Sequence, residues 1–312
     1  MSFEIKQATR QGVKPLIGIF SESGCGKTMS SLLLARGFVG STGKIVMLDT
    51  ESGRGSLYAD VIPGGYEVIE MREPFSPMRY IEAIQTVEKS GAAILIIDSG
   101  SHEWEGIGGV LDMATDNESR SGKPGLHNWK QPKMEHAKFM LKMLQSPLPI
   151  VVCLRAKYKT RQTKENGRTV IVKDEYTTPI QADQFIFEMT AHGEILQDHS
   201  LHLTKCSHPS LRDCFPEGKP ITTQHGELLA AWCNSAGKPI SQDKKTSSKE
   251  ATEATRQWML AQLKDLHVKM QAYAIDKGII MPDQGLEDWP LVSVPTDKGQ
   301  LAELRKKIEN HA

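Results

Sequence analysis

Short apolar runs separated by amphipathic stretches dominate the first half of the chain. Leu16–Phe20, Lys44–Asp49, Glu67–Met71, Ala92–Asp98 and Pro149–Leu154 read as strands. Between them, helical spacing appears over Lys27–Phe38 (Leu32, Leu33, Leu34, Phe38), Pro77–Ser90 (Met78, Ile81, Ile84, Val87) and Pro132–Gln145 (Met134, Phe139, Met140, Met143). Strands that are apolar almost throughout, alternating with helices, predict an α/β domain with a mainly parallel sheet covered on both faces. Residues 99–131 lack either period and read as a long irregular loop, of the kind that is functional or mobile.

The pattern changes after Leu154. From Arg155 to Glu175 there are seven basic residues (Arg155, Lys157, Lys159, Arg161, Lys164, Arg168, Lys173) against Glu165, Asp174 and Glu175. Asn166-Gly167 lies between Lys157–Lys164 and Thr169–Lys173, which predicts a basic β-hairpin. Residues 184–204 read as two more strands around Gln197-Asp198-His199. The polar stretch 235–249 reads as a linker. Beyond it, Met259, Leu263, Leu266, Met270 and Tyr273 share one helix face, and a last helix is predicted over Lys298–Asn310, capped by Thr296 or Asp297. The expected organisation is a core over 1–234, a linker over 235–249 and a small helical module over 250–312.

Composition narrows the function classes. Lys+Arg and Asp+Glu are both 38, so the formal charge is zero. That excludes a globally basic coat for nucleic acid, though not a local basic hairpin. An apolar share of 39% suffices for a real core. No apolar run approaches the roughly 18 residues of a membrane span, and Met1–Gln7 has no apolar signal region. A cytoplasmic protein without membrane contact is expected. Its five cysteines, odd in number and irregularly spaced, are expected to be free thiols.

The strongest chemical signal is Ser-Glu-Ser-Gly-Cys-Gly-Lys-Thr, Ser21–Thr28, placed between a predicted strand and a predicted helix. Gly24 and Gly26 allow the tight turn that aims successive N–H groups at a phosphate, and the helix N-terminus adds partial positive charge. The nucleotide contacts are expected from Ser23, Gly24, Cys25, Gly26, Lys27, Thr28 and Met29. Lys27 can bridge the β- and γ-phosphates of ATP, and Thr28 can place its hydroxyl on Mg²⁺. The full pattern asks for glycine where Ser21 stands. Ile94–Ser99, an apolar strand ending in an acid, supplies Asp98 as the second metal-side group. Asp98 is followed by serine, so the group that orients the attacking water must come from elsewhere. Glu51, past the end of the second strand, is the best-placed candidate, with Glu103 the runner-up.

On Ser21–Thr28, Leu48-Asp49-Thr50-Glu51 and Ile97-Asp98-Ser99, the chain resembles the RecA-type recombinase ATPases. It is similar more closely to phage-encoded RecA-like proteins often labelled AAA-domain ATPases. The resemblance spans about residues 14–215 and implies a RecA-like P-loop core. It places the water-activating acid at Glu51. It puts the γ-phosphate sensor at Arg155, where the recombinases carry an amide, and single-stranded DNA on the following loop. A lysine reaching the neighbouring subunit's nucleotide falls on Lys205. It further implies self-association into a ring or filament, and work on DNA such as single-strand annealing or strand exchange in phage recombination.

The hairpin stands on physics as well. Lys157, Lys159, Arg161, Lys164 and Arg168 can neutralise several phosphates, and Tyr158 and Tyr176 can stack on unpaired bases. The sequence leaves two other classes open: a nucleotide-gated accessory or loader protein with little turnover, and a kinase using the same loop. His202, Cys206, His208 and Cys214 match no standard zinc spacing.

Overall fold

The computed structural model describes residues 10, 12–165, 168–235, 256–281, 284–288 and 298–311. The start of the chain (1–9), the Asn166-Gly167 turn, almost all of the expected linker and the expected cap at Thr296 or Asp297 lie outside the described residues. So do the side chains of Arg161, Lys164, Arg168 and Lys173. The chain divides into two compact units, Met1–Gly237 and Lys238–Ala312.

In the first unit, β1 (Leu16–Ser21), β2 (Ile45–Asp49), β3 (Glu67–Glu70), β4 (Ile94–Asp98) and the start of β5 (Ile150–Glu165) run parallel. β7 (Ala191–Ile195) continues the parallel sheet beside β1, and β8 (Leu201–Cys206) returns antiparallel beside β7. The strand order is β3-β2-β4-β5-β1-β7-β8. One strand, β5, therefore separates β1 from β4, and the C-terminal ends of β1, β2, β4 and β5 open at one edge of the sheet.

Period-two alternation explains the two-sided cover. Ile17, Ile19, Ile94, Ile96, Val151 and Cys153 face one apolar cluster, which α1 (Lys27–Val39) and α8 (Thr223–Asn234) complete. Leu16, Phe20, Leu95, Ile97, Val152 and Leu154 face the other, closed by α2 (Pro77–Lys89) and α5 (Lys130–Leu144). Each fully buried side chain of Leu or Ile size contributes about 1.5–3 kcal/mol relative to exposure, so both faces are held strongly.

Two expectations are corrected. The segment 99–131 is not an irregular loop: it carries α3 (Ser101–Glu105), α4 (Val110–Ser121) and a 3-10 turn at Leu126–Trp129. Only Val110 and Ala114 of α4 are buried, so its apolar stripe is too thin to show as a period. The strand at Pro149–Leu154 and the first arm of the hairpin are one element. β5 runs unbroken to Glu165 and pairs antiparallel with β6 (Arg168–Pro179) beyond the edge of the main sheet.

In the second unit, Met259, Leu263, Met270, Ala274, Ile280, Leu286, Leu301 and Ile308 form one buried cluster. The apolar face expected over Met259–Tyr273 is interrupted by a 3-10 turn at Lys264–Leu266. A helix resumes at His267–Asp276, and another spans Lys298–Glu309. Among the described residues no helix is long and apolar enough to cross a membrane.

Candidate active site

The loop Glu22–Gly26 joins β1 to α1. Gly24 (φ 89°) and Gly26 (φ 93°) both adopt the left-handed conformation that side-chain-bearing residues avoid. Ser21 does not: it is the last, fully buried residue of β1 and pairs in register with Arg155. The glycine of the full pattern is not demanded there, because the backbone is still strand. Helix α1 starts at Lys27 with no side-chain cap and no acid in its first turn. Its leading N–H groups are therefore left for an anion. Lys27, Thr28 and Met29 are half-buried on that first turn, while Ser23 and Gly24 are exposed on the loop.

Asp98 ends β4 directly below the loop. Thr28 Oγ1 donates to Asp98 Oδ2 at 2.6 Å, which joins the two groups expected on the metal side. The other carboxylate oxygen, Oδ1, is buried without a hydrogen-bond partner. Burial pushes the Asp98 carboxyl above its ordinary range, and the Thr28 hydroxyl and the Lys27 charge pull it back only in part. A buried, unsatisfied carboxylate oxygen beside a threonine hydroxyl is a donor set suited to a hard divalent cation. Thr28 and Asp98 would hold Mg²⁺, which supplies neutralising charge to the phosphate oxygens when bound.

The end of β2 is built around Asp49. Its Oδ1 accepts from the Glu51 N–H (2.6 Å) and its Oδ2 from the Gly55 N–H (2.8 Å). The carboxylate thereby folds residues 51–55 into a tight loop, with Ser52 (φ 60°) and Gly53 (φ 84°) left-handed. Thr50 ties β2 to β4: its N–H donates to Asp98 O (2.8 Å), and its hydroxyl accepts from the Ser99 N–H (2.8 Å). Glu51 then projects from the strand edge with 23% of its side chain exposed, 4.0 Å from His102 Nε2. Glu103, the runner-up, is fully buried. Both its oxygens lie within 3.1 Å of His136 Nδ1, and Gln181 Nε2 donates to Oε2 at 3.1 Å. Its carboxylate is committed to a polar core and has no access to a water at the loop.

Arg155, exposed, stands on β5 opposite Ser21, where the strand leaves the main sheet. Its positive charge disfavours protonation of His102. Lys205 is placed elsewhere. It pairs with His192 on β7, which pairs with Gly18 in the middle of β1, three residues short of the loop end. Its ammonium donates to the carbonyls of Ile186 (3.0 Å), Phe187 (2.5 Å) and Met189 (2.7 Å). It thus closes off the end of α6 (Phe185–Glu188) and is not brought to its own chain's phosphate loop.

On the hairpin, Lys157 lies 3.7 Å from Glu105 and Lys159 3.1 Å from Asp183, and both lysines are about half exposed. Tyr176 is exposed, as is Ile171. Tyr158 is half-buried and, with Tyr176, Glu22, Cys25, Glu194 and Gln197, lines a cleft of about 210 Å³ beside the loop. A larger cavity of about 790 Å³, lined by Trp104, Trp129, His136 and Phe185 among others, contains none of the loop residues.

Two residues that sequence reasoning did not place belong to the site. His199, in the β7–β8 turn, is left-handed (φ 66°) and brings its Nδ1 within 2.8 Å of Cys25 O. Only the topology, which sets β7 beside β1, carries that turn to the loop. His102 follows Asp98 by four residues, a spacing with no meaning until α3 turns it back toward β2. His202, from the disfavoured zinc set, pairs with Glu217 at 2.9 Å.

A phosphate-binding loop, a threonine on the first helical turn hydrogen-bonded to the aspartate that ends β4, and an acid just past the end of β2 are the parts of a P-loop nucleotide-binding site. Residues 14–191 match the family described as an AAA domain, and the chain belongs to that family. No curated protein matches it. Among solved structures, it is similar to a KaiC-like protein from the hyperthermophilic archaeon Pyrococcus horikoshii OT3. That likeness has 12% identity and a TM-score of 0.36, and covers 64% of this chain and 81% of that one.

Proposed function

We propose that the protein binds and hydrolyses ATP with Mg²⁺ at Gly24–Thr28 and Asp98, with Glu51 orienting the attacking water and Arg155 sensing the γ-phosphate. Turnover is coupled to single-stranded DNA on the β5–β6 hairpin, in annealing or strand exchange of the kind phage recombination requires. The observation that carries this reading is the continuity of β5, which pairs with the loop strand at Arg155 and then becomes the first arm of the basic hairpin. A displacement at the γ-phosphate position would pass along β5 to the hairpin, across the register shift between Tyr158 and Thr160.

The test is ATP hydrolysis by the purified protein with and without single-stranded DNA, at low and high salt. The reading expects stimulation that fades as salt rises. Hydrolysis indifferent to DNA would remove the DNA part and leave the nucleotide site.

A second reading is favoured by one observation. Lys157 and Lys159 are each beside an acid, and Ile171 stands exposed on the same hairpin. A hairpin of lowered net charge with an apolar face suits a protein surface. The protein would then be a nucleotide-gated accessory or loader with little turnover.

A further inference from the structure

We propose that His102 is a positioning residue for Glu51, presenting the ring Nε2–H to its carboxylate across 4.0 Å, a contact that closes to a hydrogen bond when the nucleotide site is filled. The proposal rests on the ATPase reading above. Its geometric ground is a polar chain linking the ends of β4 and β2. The Ser99 N–H donates to Thr50 Oγ1 (2.8 Å), Thr50 Oγ1 lies 2.8 Å from His102 Nδ1, and His102 Nε2 lies 4.0 Å from Glu51 Oε1. The imidazole plane is fixed by stacking on Phe75, with ring centres 4.9 Å apart and planes 28° apart. His102 is 15% exposed, so the ring has little freedom to turn.

The proposed tautomer is set by what each ring nitrogen meets. The Thr50 hydroxyl has one proton to give, and two acceptors compete for it: Ser99 O at 3.1 Å and His102 Nδ1 at 2.8 Å. Ser99 O already receives the Tyr80 hydroxyl at 2.8 Å. With the Thr50 hydroxyl given to the shorter contact, Nδ1 accepts and Nε2 carries the hydrogen, and this tautomer is part of the proposal. That hydrogen faces the Glu51 carboxylate. The opposite tautomer would set a nitrogen lone pair against a carboxylate.

The charged groups acting on the ring are Glu51 just past β2, Arg155 where β5 leaves the main sheet, and Glu105 on its own helix. Burial and Arg155 favour the neutral ring, while Glu51, Glu105 and the Thr50 backbone oppose them, and the net direction is downward from 6.5. At neutral pH the ring is therefore an uncharged donor. It holds Glu51 without neutralising it, which preserves the carboxylate as an acceptor for a water proton.

The experiment combines steady-state ATPase kinetics of the full chain with ¹⁵N-histidine NMR of the nucleotide-free protein. His102→Ala is expected to lower kcat about tenfold or more with KM for ATP little changed, as loss of a positioning contact does. His102→Gln, which can offer an N–H in the same direction, recovers part of that loss. The wild type should show an acid limb in kcat below pH 6.5 that His102→Gln lacks. Wild-type kcat in His102→Ala, or equal losses in the Ala and Gln variants with an unchanged pH profile, would overturn the proposal. The NMR arm does not depend on turnover. It expects the Nε2–H tautomer and a His102 midpoint that falls further in Glu51→Gln. An Nδ1–H tautomer, or a midpoint indifferent to Glu51, would overturn the proposal as well. A wild type that hydrolyses no ATP defeats the ATPase reading instead, and the NMR arm still decides on His102.

Discussion

Strand β5 passes through two environments. Ile150–Leu154 is buried on both faces between the helix layers, whereas Arg155–Thr160, Gln162 and Thr163 are exposed or half-buried. The buried stretch is apolar and its neighbours are set by packing. The outer stretch is charged: it pairs with β6, and Lys157 and Lys159 lie beside Glu105 and Asp183. The candidate chemistry lies at the boundary, where the sheet ends and backbone groups of β2, β4 and β5 must find polar partners. Thr50, Asp49, Ser99 and Ser101 supply those partners, and in doing so they fix Glu51 and His102. Precise placement comes from the buried side of the boundary, and under the DNA reading the exposed side would reach the nucleic acid.

The comparison breaks most visibly at Lys27. Lys27→Ala is expected to reduce ATP turnover by about 100-fold or more, as removal of a charge clamp on a transferring phosphoryl group does. Any ATP-dependence of DNA binding should vanish with it in a filter-binding or anisotropy assay. ATP-dependent DNA binding that survived the change unaltered would disconnect the two halves of β5.

The buried side should also carry a pH signature that the hairpin lacks. His192 is buried against Phe20, and burial, reinforced by Lys205, lowers its pKa from 6.5 to about 4. Because the folded value lies below the unfolded one, the unfolded chain binds the proton more tightly. Stability is intact above pH 6.5 and is lost as pH falls from 6.5 toward 4, by up to about 3 kcal/mol. Thermal melts across that window should fall steeply for the wild type and less steeply for His192→Gln.

A smaller effect is expected at Thr50, 2% exposed. Thr50→Val keeps the shape and leaves the Ser99 N–H without its acceptor, at a cost of about 1–3 kcal/mol. Calorimetry should show the lowered melting temperature. The smallest stability effects belong to the hairpin. Lys157→Ala and Lys159→Ala remove exposed ion pairs, which contribute about 0–1 kcal/mol each. Under the DNA reading, each should nonetheless lower the slope of log affinity against log salt by about 1. A large stability loss with an unchanged slope would assign these lysines to the fold.

What the sequence discloses follows the same boundary. The phosphate loop, Asp98 and the core strands are local in the chain, so residue type and spacing reveal them. Helix α4 buries too few residues to leave a period, and the joining of the fifth strand to the hairpin carries no mark because Arg155 looks like a terminus. The roles of His199 and His102 depend on strand order and on the turn at Gly100. Lys205 occupies a suggestive place in the sequence. Only its three carbonyl partners, supplied by residues 16 to 19 positions earlier, reveal a local structural role.

Under the proposed function, Glu51 orients water at a P-loop held by Lys27, Thr28 and Asp98. The most direct measurement compares ATP affinity and ATP hydrolysis of Glu51→Gln with those of the wild type. The account predicts affinity within a few-fold of the wild type and hydrolysis reduced by about 100-fold or more. A Glu51→Gln protein that hydrolyses ATP at the wild-type rate would contradict it.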